Sequence, residues 1–164
     1  THTYSRWKRL SHITEKVSSE EIKRFRDLCS TVSSHLIYPS NNVDGKRNIN
    51  AARGMINKIN DRFDLTLECI RRYYLNEDSP LKETFIRYSD FFSLFKNFKG
   101  YIDFFLLQDL VSENYNMVNF YLPFDNFERS SIPLNLEEYI SYKKKVLNFV
   151  VARSKRINTY SLSL

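Results

Sequence analysis

Three carboxylates and three arginines are interleaved with large apolar side chains in "DRFDLTLECIRRYY", Asp61 to Tyr74. At about 100° per residue, Phe63, Leu67, Ile70 and Tyr74 share a narrow arc, and Leu65, Thr66 and Cys69 carry the apolar surface most of the way round a helix. Asp64, Glu68 and Arg71 share the remaining sector, flanked by Asp61 and Arg72. Three chemistries suit this set. The preferred one is a self-paired stripe: Glu68 precedes Arg71 by three and Arg72 by four, an orientation worth about 0.2–0.5 kcal/mol per pair in an isolated helix. In the second, Arg53, Arg62, Arg71 and Arg72 offer guanidinium forks to a phosphate or carboxylate, with Lys46 and Arg47 of "DGKRNINAARG" beside a helix N-terminus. In the third and weakest, Asp61, Asp64 and Glu68 hold a magnesium ion that binds phosphates, though acidic triplets at such spacing are common. Asp103, Gln108 and Asp109 lie in the most apolar segment. If buried, each needs a partner, and the arginines of this helix are the obvious donors; together with Asp61, Asp64 and Glu68 they form a candidate polar network.

Other catalytic groups are sparse. His2, His12 and His35 have no partners at metal-ligand spacing, which argues against zinc. Arg6 and His12 have a spacing seen in helical ribonucleases of the HEPN group, but Trp7 after the arginine departs from that pattern. Cys29 and Cys69 show no metal or disulfide framework, suit a reducing interior, and read as buried free thiols. No cofactor motif is present.

The elements that must position these residues are mostly helices. Only 3 Gly and 4 Pro interrupt 164 residues rich in Phe and Tyr, which favours long helices over many short strands. Trp7, Leu10, Ile13 and Val17 form one stripe of a short helix. Ser18 to Glu21 reads as a capping box before a helix from Glu20 to Ile37 that buries Ile22, Phe25, Leu28, Cys29, Val32 and Leu36 and ends before Pro39. Tyr38 to Asn48 is a loop, Asn50 a cap for "AARGMINKI", and Asp61 a cap for a central helix reaching Leu75. Ser79 and Pro80 open a helix through "LKETFIRYSDFFSLFKNF" that Gly100 closes; its Tyr88, Phe91, Phe92, Phe95 and Phe98 read as core before they read as a base-stacking platform. "YIDFFLLQDLV" is a buried helix, and 117–122 is the one segment suited to a short strand or extended pass. The last helix, Leu136 to Ile157, places Leu136, Tyr139, Ile140, Leu147, Val150 and Val151 on one side; its "KKKVLNFVVARSKR" resembles an RNA-facing or membrane-surface helix, but docking through the apolar side is the commoner use of such a pattern.

The expectation is therefore a mainly α protein, a single compact domain of about six helices spanning 1–164. The net charge of +6 is divided unevenly: residues 1–60 carry +6, 61–130 carry −4 and 131–164 carry +4. Such a balance permits a nucleic acid, a nucleotide or an acidic protein as partner. No apolar run reaches the roughly 18 residues that span a bilayer, so a cytoplasmic protein without membrane contact is expected.

The run "ARG…DRFDLTLECIRRYY…YSDFFSLFKNFKGYIDFFLLQDLV…LPFDNF" resembles a family of uncharacterised bacterial proteins, a domain of unknown function, over about Trp7 to Arg156. Polar positions that match its pattern are Arg53, Asp61, Arg62, Asp64, Glu68, Arg71, Arg72, Asp90, Asp103, Gln108, Asp109 and Asp125. Similar proteins carry additional N-terminal sequence, and a histidine where this chain has Tyr73. The resemblance implies kinship without a mechanism. Taken together, these features point to an intracellular bacterial or phage-type helical protein that binds an anionic partner (nucleic acid, nucleotide or phosphorylated ligand) through arginines around a central helix. A divalent-metal-dependent phosphoryl-transfer or hydrolytic enzyme using Asp61, Asp64 and Glu68 is the alternative, and a phage-type protein–protein inhibitor a second.

Overall fold

The computed structural model describes residues 10–162, among which the chain is helical and forms no β-strand. The stripe position Trp7 and the residues Arg6 and His2 lie outside the described residues. Contacts gather the chain into two units, one formed by Thr1–His35 with Ile132–Leu164 and the other by Leu36–Ser131.

The two-segment unit holds residues 10–14 in helical form, with Ile13 buried, and then α1, Ser19–Leu28. As the sequence implies, Ser18 caps α1: its hydroxyl accepts from the Glu21 amide at 3.2 Å. The helix stops at Leu28 and not at Ile37. The reason is local chemistry, since the hydroxyls of Ser30, Thr31 and Ser34 donate to the carbonyls of Arg26 (2.9 Å), Leu28 (2.8 Å) and Thr31 (2.7 Å). Short polar side chains that bond nearby backbone compete with helix continuation. A 3-10 turn, Val32–Ser34, follows, and Val32, which helical periodicity would bury, is exposed. The C-terminal helix, numbered α7 below, runs Leu136–Ser161 from an Asn135 cap whose side-chain Oδ1 accepts from the Glu138 amide at 2.9 Å. It packs on α1 and on the 3-10 turn. Its buried face is Tyr139, Lys143, Val146, Phe149, Val150 and Arg153, so the expected stripe is displaced, and Ile140 and Val151 stand exposed. Two cations can be buried because each has acceptors: Arg153 donates to the Ser33 and His35 carbonyls at 2.8 Å each, and Lys143 pairs with Glu21. Glu21 thus turns to α7, away from the reciprocal half of a capping box.

In the unit Leu36–Ser131, the expected loop is present, and an isolated bridge between Val43 and Lys46 closes a turn at Asp44 and Gly45, both in the left-handed region. Helix α2, Ile49–Met55, is capped by Asn48, whose side chain accepts from the Ala51 amide at 3.0 Å. The expected cap Asn50 lies inside the helix, and its side-chain Oδ1 accepts from Arg53. Helix α3, Phe63–Tyr74, is the expected central helix. Asp61 is not its cap, because Asn60 and Asp61 take left-handed φ angles of 49° and 58° and Arg62 occupies the cap position. The single helix expected after Pro80 is broken into α4, Lys82–Ile86, and α5, Ser89–Ser93. Tertiary bonds hold the break: the Tyr88 hydroxyl donates to the Asn41 carbonyl at 2.7 Å and Arg87 to the Arg47 carbonyl at 3.2 Å. Gly100 does not close a helix; it lies in the first turn of α6, Phe98–Phe105, which Asn97 caps. Residues 111–131 are irregular apart from a bridge between Val111 and Val118.

The core of this unit is aromatic. Phe92 is fully buried, with ring centroids of Tyr73, Tyr74, Phe85 and Tyr101 between 4.8 and 6.2 Å away. Tyr88, Phe95 and Phe98 are buried as well, so the helical-spacing aromatics serve packing. Among the described residues, no helix is long and apolar enough to cross a membrane.

Both cysteines are free, Cys69 buried and Cys29 partly so. Burial pushes the Cys69 thiol up to about 12 and the Cys29 thiol up to about 11 from an ordinary 9.0. Reactivity follows the thiolate, so neither thiol is expected to react with a disulfide reagent at pH 8 until denaturant is added; rapid labelling of the native protein would refute this. The stability sign follows from linkage: the folded chain retains thiol protons that the unfolded chain releases above about 9. That contribution is present below pH 9 and is lost as pH rises toward 11 and 12, which urea midpoints at pH 8 and pH 10.5 should register as a fall.

Candidate functional site

The charged groups of α3 form two clusters, each closed on itself. The first lies at the helix start. Asp64 is fully buried and Arg62 is 6% exposed. Arg62 Nε donates to Asp64 Oδ1 at 3.0 Å, its Nη2 pairs with Asp64 Oδ2, and its Nη1 donates to the Ser131 carbonyl at 3.1 Å. The Tyr121 amide donates to Asp64 Oδ2 at 2.9 Å. A pair two residues apart cannot meet on one helix face; these two meet because Arg62 stands at the cap position outside the helix. The cluster thereby fastens the start of α3 to residues 121 and 131.

Arg53 extends this cluster from α2. Its Nε donates to the Thr66 hydroxyl at 2.9 Å, its Nη2 to the Asp61 carbonyl at 3.3 Å and its Nη1 to Asn50 at 3.4 Å, while the guanidinium carbon lies 5.4 Å from the Tyr38 ring centroid. The second cluster lies at the other end of α3. Glu68, which is buried, accepts from Arg71 Nε and Nη2 at 2.8 and 2.9 Å and from Arg72 Nε at 2.8 Å. These are the i+3 and i+4 pairs expected from sequence. The Glu68 hydrogen bonds raise the Arg71 pKa above its ordinary value. Arg71 also reaches Glu77 at 3.4 Å, and Arg72 donates to the Asp78 carbonyl at 3.1 Å with its guanidinium 5.0 Å from the Phe127 ring. Tyr73 is an aromatic packing residue.

The four arginines offered to an anion are thus each bonded to internal acceptors. Lys46 and Arg47 are exposed, and their side chains make no ion pair among the described residues. They precede α2, which has seven residues and whose Ala51 amide is already bonded to Asn48. Asp61 contributes its carbonyl to Arg53. Among the described residues, no group of three His, Cys, Asp or Glu side chains is placed to hold a metal ion.

Asp103, Gln108 and Asp109 do not join the α3 clusters. Asp103 pairs with Lys99 and accepts from Tyr115 at 3.0 Å and from Gln108 at 3.1 Å. Desolvation pushes its carboxyl up, but the hydrogen bonds from Lys99, Tyr115 and Gln108 outweigh that effect and leave its pKa below the ordinary 3.8. The donors expected from α3 are replaced by Lys99 one helical turn away, because the carboxyl is only partly buried and a local partner suffices. Asp109 is exposed. Tyr121, Ser131 and Thr66, which complete the buried cluster, carry no sequence signal: two of the three act through backbone atoms or at separations of 57 and 69 residues.

No curated protein and no solved structure matches the chain significantly. A model described as a family of unknown function (DUF6994) matches residues 1–157. Coverage of all but the last seven residues places the chain within that family, and it is therefore a member of the family of unknown function DUF6994.

Proposed function

We propose that this protein is a non-catalytic module that binds an anionic partner through exposed lysines of the two-segment unit, while the arginines around α3 act as internal struts. The observation that carries this reading is the division of charge. Residues 1–35 and 132–164 together carry +7, and residues 36–131 carry −1. The excess is therefore on the unit that lacks the arginine network. Every guanidinium at the central helix already has a carboxylate or carbonyl acceptor, and an incoming anion would have to displace it. Lys144 and Lys155 of α7, by contrast, are exposed and make no ion pair among the described residues, so no internal bond opposes their use.

Fluorescence anisotropy of a labelled 20-base-pair DNA duplex and of labelled polyglutamate tests this. At least one probe is expected to bind, with affinity falling about tenfold or more between about 50 and about 200 mM salt. The charge-reversed pair Lys144→Glu and Lys155→Glu is expected to lose binding, while Arg71→Gln retains it. Equal binding by the charge-reversed protein, or no binding of either probe, refutes the reading.

A further inference from the structure

We infer that the partner is an acidic amphipathic helix of another protein, received along one face of α7; this rests on the reading just given and names its ligand class. Ile140, Lys144, Leu147, Val151, Lys155 and Asn158 fall within about 80° of one another at 100° per residue. Ile140 is 50% and Val151 44% exposed, Leu147 is half-buried, and Lys144, Lys155 and Asn158 are exposed. The stripe extends over about 27 Å at 1.5 Å per residue, and Glu137, one turn before Ile140, marks its acidic end. The helix is satisfied on its other side, where Tyr139, Val146, Phe149, Val150 and Arg153 are buried. The stripe is therefore a second, unpartnered face on a helix whose packing face is already in use.

A hollow of about 180 Å³ lies within the same unit beside this stripe, with Leu28, Val150 and Val151 as apolar lining and Ser33, Ser154 and Lys155 among its other walls. A cavity of about 150 Å³ holds a benzene-sized body, so the hollow has room for one leucine or phenylalanine side chain. Ile140, Leu147 and Val151, at i, i+7 and i+11, give the stripe an apolar line that meets the hollow at Val151, and an amphipathic helix is received by laying its apolar anchors against such a surface. The lysines interspersed among them fix the sign of the partner: carboxylates lining the polar edge of an apolar stripe would meet Lys144 and Lys155. Nucleic acid fits less well. Its backbone offers phosphates and no aliphatic group to fill the hollow, and its unstacked bases bind aromatic rings, which the stripe lacks.

The test uses the full chain and a fluorescein-labelled, N-acetylated peptide of about 18 residues, about the number whose helix would span the stripe, with Leu at i, i+3, i+4 and i+7 and Glu elsewhere. A scrambled peptide of the same composition and a peptide with Lys in place of each Glu serve as controls, beside the DNA duplex. The acidic amphipathic peptide is expected to bind at least tenfold more tightly than either control, and Val151→Glu and Lys155→Glu are each expected to weaken it at least tenfold while far-ultraviolet circular dichroism stays unchanged. Ser154→Trp, which fills the hollow without altering charge, is expected to do the same. If the duplex binds through Lys144 and Lys155 and the peptide does not, this inference fails and the anionic-partner reading stands. If neither binds, both fail. Equal binding of the scrambled peptide also overturns the inference.

Discussion

Asp64→Ala is expected to destabilise the unit Leu36–Ser131 by about 3–5 kcal/mol, the cost of leaving a buried cation without its counter-charge. Asp64 has no exposed surface and Arg62 almost none. Two guanidinium nitrogens and the Tyr121 amide point at its two oxygens. Alanine removes both acceptor oxygens at once, takes the partner from three donors and leaves Arg62 with the Ser131 carbonyl in place of a counter-charge. Urea unfolding followed by circular dichroism gives the magnitude, and amide exchange at Tyr121 reports the local loss. A double replacement, Asp64→Leu with Arg62→Met, removes both charges and is expected to cost markedly less than the single change. A single-variant cost below about 1 kcal/mol, the value of an exposed pair, would show that the cluster is solvated and would remove the case for the arginines as struts.

Gly100→Ala is the second large expected effect, at about 3 kcal/mol, the upper part of the range for overpacking in a filled site. A Cβ at position 100 would stand 2.1 Å from the Phe95 carbonyl oxygen and 3.2 Å from its carbon. The obstacle is backbone, so no rotamer change relieves it. Relief would require moving the turn that joins α5 to α6, where Lys96 has a φ of 66° and Asn97 caps α6 through the Gly100 amide. That turn also carries Phe95, whose ring packs at 5.1 Å from Tyr101. Thermal unfolding should show a lower midpoint, and a variant as stable as the parent would mean that the turn yields freely.

The expectation for Gly100 illustrates what a sequence conveys about a glycine. Its position near the end of an apolar run marks a break, and a break does lie nearby, but the residue is required by a neighbour's carbonyl and not by its own torsion. The same limit applies to helix ends. Ser18 was legible as a cap because its bond is three residues long, whereas the early end of α1 depended on three hydroxyls turning to local carbonyls, and the break between α4 and α5 depended on Asn41 and Arg47 some forty residues away.

The candidate site divides in the same way. Glu68 with Arg71 and Arg72 follows from helical spacing alone, and its geometry is as that spacing implies. Asp64 lies on the same stripe, yet its partner is an arginine outside the helix and a backbone amide 57 residues on. On α7, the six-residue apolar stripe read from periodicity is shared between two faces, because Lys143 and Arg153 found acceptors and could take the buried side.

Composition and short-range spacing were enough to determine the helical class, the central helix, its Glu68 pairs and the uneven charge along the chain. Those properties depend on bonds within a turn or two, which the order of residues specifies directly. Only the tertiary structure decided that Arg53 and Arg62 are bonded internally across long separations, and that Ile140, Val151 and the lysines beside them remain exposed. Burial and pairing over long separations depend on which surfaces meet, and the local pattern is compatible with more than one such meeting.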